Sequence, residues 1–224
     1  MIRLGITGTD TGVGKTVVTC TIAAGLTARG LRVAAMKPVE TGVAPDDVER
    51  DGARLARAAG GRIALATLAP ITFPEPLAPL VASRQAGRPI DPGLLDRAVD
   101  AAAAGADALL VEGAGGLLVP VTESDSFAEL FRRWRLDTLI VAANRLGVIN
   151  HVRLTTQTAR RAGLHVCAIA LNHVNAASDA SMASNAALLH ELEHVPVIEF
   201  PWQATARHLD GAVERLLHLL PSHA

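Results

Sequence analysis

The stretch Gly8-Thr9-Asp10-Thr11-Gly12-Val13-Gly14-Lys15-Thr16 constrains the fold of this chain more than any other. An apolar run ends at Thr7, a glycine-rich turn follows, and Lys15-Thr16 leads into an apolar helical stretch. A turn between a buried strand and a helix aims backbone N–H groups and the helix N-terminus at bound phosphate oxygens. Gly12, Val13, Gly14, Lys15, Thr16 and Val17 are therefore the candidate nucleotide contacts. Lys15 is expected to reach the β- and γ-phosphates, and the Thr16 hydroxyl to ligate Mg²⁺. The usual pattern has four residues between its first glycine and the Gly-Lys pair. Here Thr9 holds that glycine's place and Gly8 lies one residue early, so the loop is a variant. The plainer alternative is a glycine-rich turn capped by Thr16.

Around this loop the chain alternates strand and helix. Apolar strands are predicted at residues 3–7, 32–37, 108–112, 138–142, 166–171 and 195–199. Helices are predicted at 14–29, 47–59, 92–104, 127–134, 150–162, 181–192 and 211–219. Near-continuous Val/Ile/Leu/Ala strands separated by helices imply an α/β fold: a P-loop NTPase-like, mostly parallel sheet with helices on both faces. Its crossovers should be right-handed. Residues 70–92 break the rhythm with six prolines, yet carry apolar Ile71, Phe73, Leu77, Leu80 and Val81. The segment is expected to pack against the body of the protein. At 224 residues, half of them hydrophobic, the chain is expected to form a single domain with a sizeable core.

Two lysines, Lys15 and Lys37, stand beside nineteen arginines. Both fall where a short strand runs into a loop. Lysine is a compact, movable charge and arginine a rigid planar fork, so a chain rich in arginine keeps lysine where the fork does not fit. A general bias against lysine is the competing explanation. The second lysine belongs to Met36-Lys37-Pro38-Val39-Glu40-Thr41-Gly42. A further strand, Ala108-Leu109-Leu110-Val111-Glu112, ends in an acid followed by Gly113-Ala114-Gly115-Gly116. An acid at that strand end helps to hold Mg²⁺ in P-loop enzymes, directly or through water, and the glycines let backbone approach a ligand.

The formal net charge is −1. The Arg132-Arg133-Trp134-Arg135 cluster reads as the polar face and end of a helix, and aromatic residues are few, so no nucleic-acid partner is expected. No apolar run reaches membrane-spanning length. Residues 2–7 already read as the first strand, leaving no signal peptide, so a cytoplasmic protein is expected. Cys20 and Cys167 read as small core residues and the scattered histidines form no metal set. With lysines only at 15 and 37, the Asn-Lys-x-Asp element of guanine-specific P-loop proteins is absent, so ATP is favoured over GTP. Partition and septum-site switch ATPases carry an additional early loop lysine where this chain has Asp10.

The sequence resembles the dethiobiotin synthetase family. The residues that carry the resemblance are the Gly8–Thr16 loop, Lys37-Pro38-Val39-Glu40-Thr41-Gly42, Val111-Glu112-Gly113-Ala114-Gly115-Gly116, Leu146-Gly147-Val148-Ile149-Asn150-His151 and Phe200-Pro201-Trp202. They run in the family's order over most of the chain. Amide-forming enzymes of corrinoid synthesis share parts of the pattern but usually carry a glutaminase domain as well.

The resemblance implies ATP-dependent carboxylation and ring closure of 7,8-diaminononanoate with CO₂, or bicarbonate as its source, to give dethiobiotin, ADP and phosphate. It implies that Lys15 and Lys37 flank the γ-phosphate, that Thr11 donates to it, and that Thr41 lies near the diamine. Thr11 and Thr41 are also plausible as turn-stabilising hydroxyls. Asp51, with Thr16 and Glu112, would hold Mg²⁺, although acids open helices for dipole reasons alone. Asn172 and the Pro201-Trp202 loop would frame the adenine, and Gly115 would approach the substrate by backbone. Asn150 would bind the substrate's distal carboxylate from a partner subunit, which implies a homodimer with the active site at its interface. Some relatives carry glutamate where this chain has Gly12, which widens the loop and removes an acidic contact.

Overall fold

The computed structural model describes residues 1–44, 46–177 and 179–202, together with 211 and 214. Six strands form one sheet: β1 (Ile2–Gly8), β2 (Val33–Met36), β5 (Ala108–Gly116), β6 (Asp137–Ala143), β7 (Val166–Asn172) and β8 (Val197–Phe200), in the spatial order β2-β5-β1-β6-β7-β8. Every pairing in it is parallel. The helices named among the described residues are α1 (Lys15–Ala28), α2 (Asp51–Ala58), α3 (Leu65–Leu68), α4 (Pro79–Gln85), α5 (Pro92–Ala103), α6 (Phe127–Arg133), α7 (Val148–Arg161) and α8 (Met182–Glu193).

The strands are apolar throughout because the sheet is buried on both faces. In β5, Leu109 and Val111 join a core with Met36, Ile140, Phe127 and Phe131, whereas Ala108 and Leu110 join an opposite core with Leu4, Ile6, Val18 and Ile22. That is the two-residue period of a pleated strand seen from its two sides. The central strand β1 lies between β5 and β6, so the cradle that follows it opens at the middle of the sheet's carboxyl edge.

The six expected main strands and the first six expected helices are all present, with shifted ends. The helix expected at 47–59 begins only at Asp51, after an irregular approach. The helix expected at 150–162 begins earlier, at Val148, with Gly147 as its N-cap. The helix expected at 211–219 lies outside the described residues except for 211 and 214.

Residues 70–92 do pack down, with structure that apolar content alone did not reveal. Ile71–Phe73 forms β4, which pairs in parallel with β3 (Val39–Thr41) as a separate two-stranded sheet. Pro79 opens α4, and Pro92 opens α5 behind an Asp91 cap, both first-turn positions where a missing N–H costs nothing. Ile71 and Phe73 are buried, but Val81 faces solvent, contrary to expectation. The arginine cluster does end a helix, yet Trp134 is buried, its indole N–H donating to Asp96 at 2.7 Å. The cysteines are free thiols, Cys167 buried and Cys20 half-buried. Among the described residues no helix is long and apolar enough to cross a membrane.

Candidate active site

Strand order builds the site. Because β2, β5 and β1 lie side by side, the residues following or ending them converge: Lys37, Glu112 and the glycine-rich turn. Gly14 is the N-cap of α1 with φ 89°, a left-handed conformation that glycine adopts without strain. A Cβ there would stand 2.0 Å from Asn172 Nδ2, which donates to the Val13 carbonyl at 3.0 Å. Asn172, at the end of β7, therefore props the cradle from behind.

Lys15 is buried, its ammonium donating to the Asp10 carbonyl at 3.1 Å. Burial pushes its pKa down to about 8, against the pull of Glu112 and with the nearby Lys37 charge adding to the fall. The ammonium still predominates at pH 7, and a bound anion would strengthen it.

Glu112 is fully buried. Its Oε1 accepts from the Thr16 hydroxyl at 2.8 Å and from the Lys37 ammonium at 3.0 Å. Thr19 Oγ1 lies 2.8 Å from Glu112 Oε2 and 2.9 Å from the Lys15 carbonyl, and its one proton serves one of them at a time. Lys37 also pairs with Asp51 Oδ2. Burial works against the Lys37 charge, but Glu112 and Asp51 outweigh it and hold the ammonium above the ordinary lysine range. Burial likewise opposes the Asp51 carboxylate, and Lys37 holds it below the usual range.

A cavity of about 540 Å³ opens over this floor. Thr11, Gly12, Gly14, Lys15, Thr16 and Val17 line one side; Lys37, Thr41, Asp51 and Gly115 are among the residues that line the other. A second cavity of about 310 Å³ shares Gly12, Gly14 and Val17 and is closed by Asn172, Pro201 and Trp202. The structure thus gathers these candidate residues into two adjoining spaces. Three others stand apart. Val13 is packed into the core and Glu112 lies beneath the cavity floor. Asn150 is exposed on the first turn of α7, away from both cavities. Among the described residues nothing lies within 4 Å of where a side chain at Gly12 would begin.

Several residues near the site escaped sequence reasoning. Thr19 lies one helical turn past Lys15 on the same face of α1, a spacing that could have drawn attention to it. Arg54, Pro76, Leu77, Ala78 and Pro79 also line the larger cavity. Glu40 lines it too, buried against Arg50. The 76–79 wall depends on long-range packing of the proline segment, for which no local spacing is diagnostic.

Asp51 and Thr16 on the cavity floor, with Glu112 beneath it, offer two carboxylates and a hydroxyl. Among the described residues no three His, Cys, Asp or Glu side chains form a metal cluster. The set is oxygen-only and already accommodates a cation, the Lys37 ammonium, between Asp51 and Glu112. It fits a hard ion such as Mg²⁺ that retains water and binds phosphate.

A family profile described as "AAA domain" matches residues 3–206. The chain is 47% identical to the ATP-dependent dethiobiotin synthetase BioD of Anaeromyxobacter sp. (strain Fw109-5), over 84% of this chain and 83% of that protein. It is 39% identical to the protein of the same name from Aquifex aeolicus, over 89% of each. It is 35% identical to ATP-dependent dethiobiotin synthetase BioD 1 of Escherichia coli K12, over 90% of this chain and 91% of that one. Among solved structures, ParA of pNOB8 bound to nonspecific DNA superposes with a TM-score of 0.57 at 15% identity, covering 97% of this chain and 98% of that one. At that identity the likeness is one of fold. A P-loop cradle, a second lysine one strand later, a strand-end glutamate beneath both and relatives matched over nearly their whole length lead to one assignment: the chain belongs to the ATP-dependent dethiobiotin synthetase family.

Proposed function

We propose that this protein closes the cyclic urea of dethiobiotin from 7,8-diaminononanoate, CO₂ and ATP, working as one ATP-binding domain per subunit. Apart from family membership, the observation that carries the reading is the placement of Lys37. It is a buried ammonium on the floor of the phosphate cavity, close enough to Lys15 for each charge to disfavour the other. A nucleotide-binding module has no need of a second cation there. A reaction joining two anions does.

One amine of the diamine adds to CO₂ and loses a proton, giving a carbamate. The carbamate oxygen attacks the γ-phosphorus, and ADP leaves with the bond between the β,γ-bridging oxygen and phosphorus. The second amine then attacks the carbonyl of the resulting carbamic–phosphoric anhydride, loses its proton and expels phosphate, closing the ring. Lys15 holds the phosphates from the loop side. Lys37 approaches carbamate and γ-phosphate from the β2 side and neutralises both. Thr11 donates to the γ-phosphate, Thr41 positions the diamine, and the Gly115 backbone limits its path. Gly12, Gly14 and Val17 bridge the two cavities, which suits a triphosphate in the larger and adenine in the smaller, against Asn172, Pro201 and Trp202. Thr16, Asp51 and Glu112 would hold Mg²⁺, which would supply charge neutralisation on the β- and γ-oxygens.

A homodimer is part of this reading. Asn150 lines neither cavity of its own chain, and large apolar side chains are exposed on and just before α7, Leu146 at 82% and Leu154 at 57%, with Leu118 at 61% sharing a hollow with Leu154. A second subunit would cover them and bring its Asn150 to the distal carboxylate. The switch-ATPase alternative has only the shared fold in its favour. Phosphate release from ATP, followed with and without diaminononanoate and bicarbonate, tests the proposal. Release is expected only with both, with dethiobiotin detected by mass. Release indifferent to the diamine would overturn it.

A further inference from the structure

Asp51 stands between two residues that are both tied to one buried carboxylate. Arg50 donates its Nη1 to Glu40 Oε2 at 2.5 Å, and the Gly52 backbone N–H donates to Glu40 Oε1 at 2.8 Å. Glu40 is 1% exposed and Arg50 6%. Residue 52 must be small for this to happen, since a Cβ there would lie 2.8 Å from Glu40 Oε2 and 2.7 Å from Ala69 Cβ. Glu40 belongs to β3, between Lys37 and Thr41 in sequence. The clamp therefore joins the segment carrying Lys37 and Thr41 to the helix start carrying Asp51.

The arrangement is costly, which argues that it is more than packing. Burial raises the pKa of Glu40, against the Gly52 N–H and the Arg50 charge that favour its ionised form. A buried ion pair is often no more stabilising than apolar residues of the same volume, and Arg50 Nε is buried without a partner among the described residues. What the pair secures is direction. Asp51 opens a short helix after an irregular approach, and among the described residues it is these two bonds that tie that helix start to β3.

We propose that Glu40 is a positioning residue, which fixes Asp51 at the cavity floor by clamping Arg50 and Gly52 on either side of it. The proposal rests on the reading of Asp51 as a ligand of Mg²⁺ held with the nucleotide. Removing a group that orients a metal ligand typically costs about 10–100-fold in metal affinity.

The test is calorimetric. ATP binding is titrated in EDTA and at a series of Mg²⁺ concentrations for the wild type, Glu40→Gln, Asp51→Asn and the double variant. Glu40→Gln should raise the half-saturating Mg²⁺ about tenfold or more and leave ATP affinity in EDTA unchanged. Added to Asp51→Asn, it should produce no further shift, because the two act through one group. If Asp51→Asn shifts the Mg²⁺ dependence and Glu40→Gln does not, or if their effects add in full, the positioning role is overturned and the metal reading stands. If Asp51→Asn leaves the Mg²⁺ dependence unaltered, both fall. Should Glu40→Gln fail to fold with Arg50 left unpaired, Glu40→Gln/Arg50→Met removes both charges together. The same shift and the same non-additivity are then expected, and their absence overturns the proposal.

Discussion

At the scale of single residues, the two lysines divide the work by their surroundings. Lys37 is held charged by Glu112 and Asp51, whereas burial pushes the Lys15 pKa down to about 8, which leaves its ammonium predominant at pH 7 with a smaller margin. Lys37→Arg keeps a charge but brings a planar fork into a space shaped for an ammonium. ATP affinity by calorimetry should stay within about threefold of the wild type, and turnover should fall by about 10²-fold or more. Lys15 gives the opposite kind of result. The nucleotide-free protein binds the Lys15 proton less tightly than the unfolded chain does, so between about 8 and 10.5 the unfolded chain holds more protons. Stability contributed by this residue therefore rises with pH across that window. Lys37 runs the other way, its contribution complete below 10.5 and lost in stronger alkali. Lys15→Met should stabilise the nucleotide-free, metal-free protein at pH 7 by on the order of 1 kcal/mol, raising Tm by about 2–4 °C, and remove most of its ATP affinity. Loss of the alkaline rise in stability, followed by thermal melts at pH 7–10, would accompany it. Both lysines were legible in the sequence because rarity and loop-entry position marked them. The lowered pKa of one and the reinforced charge of the other were not, since the first follows from burial and the second from carboxylates 75 and 14 residues away from Lys37.

At the scale of elements, the joint between α1 and β5 carries the site. Thr16 and Thr19, on one face of α1, both reach Glu112. Thr19→Val would leave Glu112 Oε2 buried with one donor fewer, and unfolding in urea should show a loss of about 1–3 kcal/mol. Thr19→Ser keeps the hydroxyl and should lose less than half of that. The strands and helices of the main sheet were readable from composition, because a strand buried on both faces must be apolar along its whole length. The β3–β4 sheet was not. Each of its strands has three residues, and such a run shows no usable period. The start of α2 was misplaced for a related reason. Asp46, Asp47, Glu49 and Asp51 all suit a helix N-terminus, and it is the hold of Glu40 on Gly52 that marks where the turn begins.

At the scale of the whole molecule, exposed Leu118 and Leu154 share the wall of one surface hollow, and covering it is the basis of the proposed dimer. Leu154→Asp should convert the protein from dimer to monomer in sedimentation analysis. ATP binding should survive, because both cavities are built within one chain, and turnover should fall with the loss of the partner's Asn150. A variant that stays dimeric, or a monomer with full turnover, would refute the arrangement. By itself the sequence determined the fold class, the cradle and the two lysines, because strand–turn–helix geometry and phosphate recognition depend on neighbours within one βα unit. Tertiary structure alone decided that Glu112 lies beneath the cavity, that Glu40 clamps the flanks of Asp51 and that residues 76–79 close one wall. Those positions follow from strand order and long-range packing, in which Ala108 of β5 meets Ile2 of β1 and Val33 of β2 from far along the chain and no local spacing records the meeting.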